Sequence, residues 1–286
     1  MLVRAYLQLF RIPGILTVIS NILFGFFVTH TSETIWLALP LLIASSVSLY
    51  LAGITLNDFF DYNVDKKERP FRPLPSGKIP KNRALFLGVF FMASANIWSF
   101  FVDPQSFFLS ITMSSLILFY NTLAKKVVPL GIFILCLIRF LNVLLGTSAE
   151  PISLQSMLLP VPLAILIAGI GTLSKVETSF ATKSITLFNP ITLVATVLTI
   201  LVFFYERSNP YFIVFLTVFV LSSTLPTTIL KRKTSNSIQR IITFQLLSII
   251  LLDATITVIF AEFFYGLIIL SLYLPALLLV RKIYVT

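Results

Sequence analysis

The feature that most limits what this chain can become is a succession of long apolar runs, each nearly free of charge and separated by short polar breaks. They cover approximately 12–29, 36–58, 83–102, 106–123, 127–147, 155–173, 188–205, 210–230, 239–261 and 264–280. A bilayer core of about 30 Å is crossed by about 20 residues of helix, and these runs have that length. They are continuous rather than alternating and too long for strands, so helices are the economical reading. Of the 286 residues only 11% are charged, against about 25% in soluble domains. The expected fold class is therefore an all-α integral membrane protein, a single transmembrane domain over residues 1–286 with no soluble domain or linker.

A formal net charge of +10 could suggest nucleic acid, but a nucleic-acid binder carries its basic face on a folded domain. Here the basic residues sit in short loops between apolar runs, the positive-inside pattern. With the N-terminus on the cytoplasmic side, the segments returning to that side are 59–82, 124–126, 174–187, 231–238 and 281–286. They hold Lys66, Lys67, Arg69, Arg72, Lys78, Lys81, Lys125, Lys126, Lys175, Lys183, Lys231, Arg232, Lys233, Arg281 and Lys282. The opposite loops hold Arg207 beside Glu33, Asp103, Glu150, Glu206 and Glu262. An even number of crossings returns Arg281 and Lys282 to the basic side, which favours ten spans. The pattern fits a multi-pass protein of a bacterial inner membrane; an organelle membrane would give the same one. Cys136 lies inside an apolar run and can form no internal disulfide, His30 falls in an outer loop, and no cleavable leader is evident.

The most informative stretch is Asn57-Asp58-Phe59-Phe60-Asp61-Tyr62-Asn63-Val64-Asp65. At about 100° per residue, Asn57, Asp61, Asp65 and Asp58 fall at roughly 0°, 40°, 80° and 100°, on one helix face. Clustered carboxylates at a membrane boundary repel one another and need a cation among them. Hard oxygen ligands suit Mg²⁺, which takes one or two carboxylates together with substrate phosphates. Downstream, Arg69 and Arg72 lie in Lys66-Lys67-Glu68-Arg69-Pro70-Phe71-Arg72-Pro73-Leu74-Pro75-Ser76-Gly77-Lys78. Carboxylates for a metal followed by fixed cations are what diphosphate binding requires. The competing reading is a solvated loop whose acids balance its bases.

The pattern N-D-x-x-D-x-x-x-D followed by R-P-x-R-P-x-x-S-G resembles the first signature of the UbiA superfamily of intramembrane prenyltransferases. Arg11, Pro13 and Asn21, then Tyr120-Asn121 with Lys125-Lys126, fit it in order. The resemblance spans approximately residues 5–230. It implies a bundle of nine or ten helices around a central cavity open to lipid, and a prenyl diphosphate held by Mg²⁺ at the cytoplasmic side. The implied reaction is transfer of the prenyl group to a lipophilic or aromatic acceptor, with membrane lipid as the other partner and no nucleic acid. Under it Asn57, Asp58, Asp61 and Asp65 hold the metal, while Arg69, Arg72, Lys125 and either Lys175 or Lys183 hold the diphosphate.

The family's second aspartate-rich motif is replaced here by Thr172-Leu173-Ser174-Lys175-Val176-Glu177-Thr178-Ser179-Phe180. Glu177 is its one acid, either a residual catalytic ligand or the remnant of a decayed site. Arg139 and Asn142 lie three apart within a membrane helix, and Asp253 is mid-span. Ionisable groups at such depth face the interior and have partners. Asn21, Arg139 and Asn142 are thus candidates for positioning the acceptor, the alternative being a packing pair or a snorkelling arginine. R-x-L-N-x-L-L-G, T-L-S-K-V-E and L-L-D-A together look similar to the EboC branch of UbiA-like proteins. Two functions stay open: a Mg²⁺-dependent prenyltransferase, with Asp58, Asp61, Asp65 and Glu177 catalytic, or a non-catalytic lipid or small-molecule carrier. A transporter lacks support, since no inverted repeat is apparent.

Overall fold

A computed structural model describes the backbone of residues 2–29, 36–178, 183–204, 210–229 and 235–284. It describes the side chains of the same residues except 175–178, 183–188, 227–229, 235–237 and 281–284. In chain order the helices are α1 (Leu2–Leu9), α2 (Pro13–Thr29), α3 (Ala38–Phe60), α4 (Tyr62–Glu68), α5 (Lys81–Phe100), α6 (Pro104–Thr122) and α7 (Val128–Thr147). They continue as α8 (Leu154–Leu158), α9 (Val161–Thr178), α10 (Lys183–Phe204), α11 (Phe212–Ile229), α12 (Ser235–Phe260), α13 (Phe263–Ser271) and α14 (Tyr273–Tyr284). A short 3-10 turn at Ala124–Lys126 precedes α7.

Helix starts follow local chemistry. Proline lies in the first turn of α2, α6 and α7, where the missing N–H has no intrahelical partner to lose. Asp103 caps α6 by accepting from the Gln105 backbone N–H at 2.9 Å, and Ser153 with Ser156 forms a reciprocal box at α8.

Around the centre, α2 packs on α3, α7 and α12; α7 packs on α9 and α9 on α10, while α3 packs on α5 and α6. The α2–α7 crossing is close because two glycines meet there. A Cβ on Gly146 would stand 2.6 Å from the Ile22 carbonyl oxygen, and one on Gly25 would strike the Val143 carbonyl oxygen. Ile22, Phe24, Val143, Leu145 and Leu252 fill this interior, all at 0% exposure. Large apolar side chains also point outward, among them Phe86, Phe90, Phe100, Phe101 and Phe108, as lipid contact allows.

Among the described residues each expected apolar run is helical at its expected place, the sixth and the last as two helices each. Among the described residues, six helices or helix pairs are long and apolar enough to cross a membrane, and a seventh if bent α1–α2, at 45°, counts as one span. Nine or ten crossings is therefore not established. One reason is visible in α6, which keeps Ser106, Ser110 and Ser114 on its buried face. There Ser110 donates to Asn96 Oδ1 at 2.9 Å, and the Asn96 amide donates to Ser114 at 3.1 Å. The last run breaks at Leu272 into α13 and α14.

Residues 59–82, expected as a returning loop, contain the end of α3 and all of α4. The rest folds back so that Leu74 and Ile79, at 2% and 1% exposure, pack on Ala5, Leu9 and Ala84. Apolar Leu74 and Ile79 gain more by covering α1 than by lying in solvent. Hollows of about 260 and 280 Å³ are lined by Asn96, Ile97 and Phe107 and by Leu37, Leu41 and Asp103 respectively. Both lie at the end of α5 and α6 remote from the acidic cluster.

Candidate active site

The acidic cluster forms where α3 ends. The backbone breaks its regular helix at Asp61 (φ −85°, ψ 2°), yet the Asp61, Asp65 and Arg69 N–H groups still donate to the carbonyls of Asn57, Asp61 and Asp65 at 2.9, 2.8 and 2.8 Å. The helical spacing read from the sequence therefore survives the break, and the three aspartates stay at one end of the bundle.

They do not converge on a single point. Asp58 Oδ1 accepts from the Arg11 guanidinium at 3.0 Å and lies 3.7 Å from that of Arg72. Asp65 Oδ2 accepts from Arg72 at 2.7 Å, and Asp61 Oδ1 accepts from Lys125 Nζ at 2.6 Å. Asn57 turns away from the acids and donates to Asn121 Oδ1 at 3.0 Å. Asp58 and Asp65 are buried at 5% and 4% exposure, which their paired cations make tolerable.

Each cation comes from a different part of the fold. Arg11 stands at the α1–α2 bend with φ 43°, a left-handed conformation uncommon for a non-glycine residue. The Tyr50 hydroxyl donates to its carbonyl at 3.0 Å and ties the bend to α3. Arg72 follows α4, and its N–H donates to the Arg69 carbonyl at 3.0 Å; Arg69 itself closes α4. Lys125 belongs to the 3-10 turn before α7. Lys81 adds a further positive charge, 4.8 Å from the Phe59 ring and 5.1 Å from that of Tyr62.

Among the described residues no three acidic, histidine or cysteine side chains are grouped to hold a metal. The expected four-ligand set of Asn57, Asp58, Asp61 and Asp65 is thus not a preformed cage, because each carboxylate is matched to a side-chain cation. The donor chemistry still fits Mg²⁺, which needs only one or two carboxylates when phosphate and water supply the remainder. Side chains of Lys175, Glu177 and Lys183 lie outside the described residues.

A second polar group sits deeper. Asp253 Oδ2 accepts from Ser20 at 2.6 Å and from the Asn21 amide at 2.8 Å. Arg139 donates to Asn21 Oδ1 and to Thr17 Oγ1, each at 3.2 Å. Asn142 donates to Asn21 Oδ1 at 3.4 Å and accepts from Ser46 at 2.6 Å. Asn21, Arg139 and Asn142 are therefore brought together, and Asn21 links Arg139 to Asp253. Sequence reasoning did not assign Arg11 to the carboxylates, nor Thr17, Ser20, Ser46 and Tyr50 to any site. They are single polar residues in or beside apolar runs, with no spacing that pairs them.

A digeranylgeranylglyceryl phosphate synthase from Sulfolobus acidocaldarius is 30% identical over 161 residues, 56% of this chain and 58% of that protein. The chain thus spans about half the length of the curated relatives it matches. A UbiA homologue from Aeropyrum pernix K1 superposes with TM-score 0.65 at 18% identity, over 85% of this chain and 96% of that one. A UbiA homologue from Archaeoglobus fulgidus, bound to DMAPP and Mg²⁺, gives 0.56 at 15%, over 93% and 99%. These two likenesses show the fold; the EboC-like branch is not confirmed. The model of the UbiA prenyltransferase family matches residues 18–250, and the chain belongs to that family.

Proposed function

We propose that this protein transfers a prenyl group from a prenyl diphosphate to an acceptor bound within the membrane. The observation that carries the reading is the acidic cluster with a separate cation on each carboxylate. Arg11, Arg72 and Lys125 hold positive charge where a diphosphate can accept it, and Asp58, Asp61 and Asp65 supply oxygen donors once those cations turn to phosphate. Mg²⁺ held by these aspartates would stabilise the negative charge of the leaving diphosphate. Arg72 and Lys125 would hold the same diphosphate by hydrogen bonds from guanidinium and ammonium groups. The apolar walls below them would keep water from the allylic carbon as its bond to oxygen breaks. The homologue bound to DMAPP and Mg²⁺ supports this pairing of ligands, and the basic loops support placing the site on the cytoplasmic side.

One observation favours the carrier instead: Glu177 is the sole acid in Thr172–Phe180. Turnover separates the two readings. Purified protein in lipid nanodiscs, given labelled dimethylallyl or geranyl diphosphate and Mg²⁺ with a panel of acceptors, is expected to release diphosphate and prenylate one of them. Asp61→Ala is expected to lower that rate by about 10²-fold or more, consistent with loss of a charged group acting on the leaving group. Metal-dependent binding with no turnover for any acceptor would establish the carrier, and no binding would overturn both readings.

A further inference from the structure

α1 sits at the end of the bundle that carries the acidic cluster, bent 45° from α2. Ala5 and Leu9 are buried against Leu74 and Ile79, yet Val3 and Leu7 on the same helix are 73% and 37% exposed. At about 100° per residue those two side chains lie about 40° apart, with Tyr6 about 60° to one side of Val3 and Arg4 about 60° beyond Leu7. The Tyr6 hydroxyl accepts from the Arg83 guanidinium at 3.2 Å, so the exposed apolar stripe has an arginine on each flank. Phe10 extends the contact with α5, meeting Phe91 edge-on with ring centroids 5.7 Å apart.

Arg83 lies in the first turn of α5, and the residues three and seven further on, Phe86 and Phe90, share its face. Both rings are exposed and stack on one another at 6.2 Å, a surface suited to acyl chains. An arginine at the head of such a face stands at headgroup level, where a guanidinium can take two phosphate oxygens at once. Neither α1 nor α5 contains an acidic residue. Among the described residues neither Arg4 nor Arg83 meets a carboxylate. Two unmatched arginines beside an exposed apolar stripe complement a partner with negative charge and an apolar tail, an anionic phospholipid. A soluble phosphate would leave Val3, Leu7 and both phenylalanines uncovered.

The stripe bears on the diphosphate site through Arg11. This residue joins α1 to α2 in the left-handed region, φ 43°, which a non-glycine residue holds only when its surroundings impose it. On the α2 side its carbonyl accepts from the Gly14 N–H at 2.8 Å and from the Tyr50 hydroxyl at 3.0 Å. On the other side the bend depends on where α1 rests. The Arg11 guanidinium in turn donates to Asp58 at 3.0 Å.

We propose that α1 and the start of α5 form a seat for anionic phospholipid, the phosphates held by Arg83 and Arg4 and the chains lying on Val3 and Leu7, and that seated lipid steadies the bend that keeps Arg11 at Asp58. Only the second half rests on the prenyl-diphosphate reading. Arg4 and Arg83 bind lipid and take no part in the reacting groups.

The test uses the full chain in nanodiscs of phosphatidylcholine alone or of phosphatidylcholine and phosphatidylglycerol in equal parts. A fluorophore on Leu2→Cys, in a Cys136→Ala background, leaves Val3 and Leu7 in place. It is quenched by nitroxide-labelled phosphatidylglycerol or by the matching phosphatidylcholine. One arginine near an anionic surface contributes about a fivefold gain in affinity, so with two the charged lipid should quench at a mole fraction at least about tenfold lower. Arg4→Gln combined with Arg83→Gln should remove that preference. Calorimetry of geranyl thiodiphosphate at saturating Mg²⁺ should show at least about threefold tighter binding in the mixed bilayer, and no difference in the double variant. Surface charge alone works the other way, since it repels diphosphate.

Equal quenching by the two lipids, a label that neither reaches because protein covers it, or a preference intact in the double variant overturns the seat. Competition by soluble glycerol 3-phosphate also overturns it, because a lipid would then be unnecessary. The quenching comparison with both arginines present decides the seat even if the double variant fails to fold. Lipid preference with unchanged diphosphate affinity overturns the link to Arg11. A chain that binds no prenyl diphosphate in either bilayer defeats the prenyl-transfer reading instead, and the quenching comparison still decides the seat.

Discussion

Binding of Mg²⁺ and of prenyl diphosphate should each be weak alone and strong together, and the ion pairs indicate by how much. Asp58, Asp61 and Asp65 carry three negative charges, and Arg11, Arg72 and Lys125 meet them with three positive ones at 2.6–3.0 Å. The cluster is neutral as it stands. Mg²⁺ alone must displace a guanidinium or ammonium group that then has nothing to bind, and diphosphate alone must leave carboxylates bare. Together, the metal takes the carboxylates and the cations take the phosphate. One unit-charge pair at 4 Å is worth about 4 kcal/mol at an effective dielectric constant of 20. Partial exposure of Arg11 and Asp61, at 37% and 30% for their side chains, reduces that, and a coupling of about 3 kcal/mol is expected. This corresponds to roughly a hundredfold tightening of Mg²⁺ when diphosphate is present, and by linkage the same factor for diphosphate when Mg²⁺ is present. Titration calorimetry of MgCl₂ into the protein, with and without geranyl thiodiphosphate, measures it. Equal Mg²⁺ affinity in the two titrations, within about threefold, would refute the exchange of partners.

Two further outcomes concern stability. Arg72→Ala strands the buried Asp65 carboxylate and should cost about 2–3 kcal/mol, less than a fully buried pair because the Arg72 side chain is 21% exposed. Adding Asp65→Asn should recover most of the loss in unfolding by denaturing detergent, and additive losses would show that the two do not interact. Gly146→Ala places its Cβ against the backbone of Ile22, which cannot rotate away as a side chain would. A loss of about 1–3 kcal/mol follows from forcing α2 and α7 apart. Gly88→Ala meets only the Leu56 side chain at 2.7 Å, so the thermal midpoint of the Gly146 variant should fall further.

The length and apolarity of the runs determined by themselves that this chain is a helical membrane protein, because lipid leaves the backbone no other way to satisfy its hydrogen bonds over such stretches. The spacing of Asp58, Asp61 and Asp65 determined that three acids would share one end of a helix, since that rests on a local repeat of 3.6 residues. Which cation would meet each acid was a different matter. Arg11, Arg72 and Lys125 are 47, 7 and 64 residues from their partners, and only the folding back of residues 69–80 and the crossing of helices bring them in. The same holds for Arg139 and Asp253, joined through Asn21 across 118 and 232 residues. A local pattern cannot encode a pairing between positions so far apart; the packing of α2 against α7 and α12 decided it. Whether the carboxylates form a cage or a set of ion pairs also depended on where those distant cations came to rest.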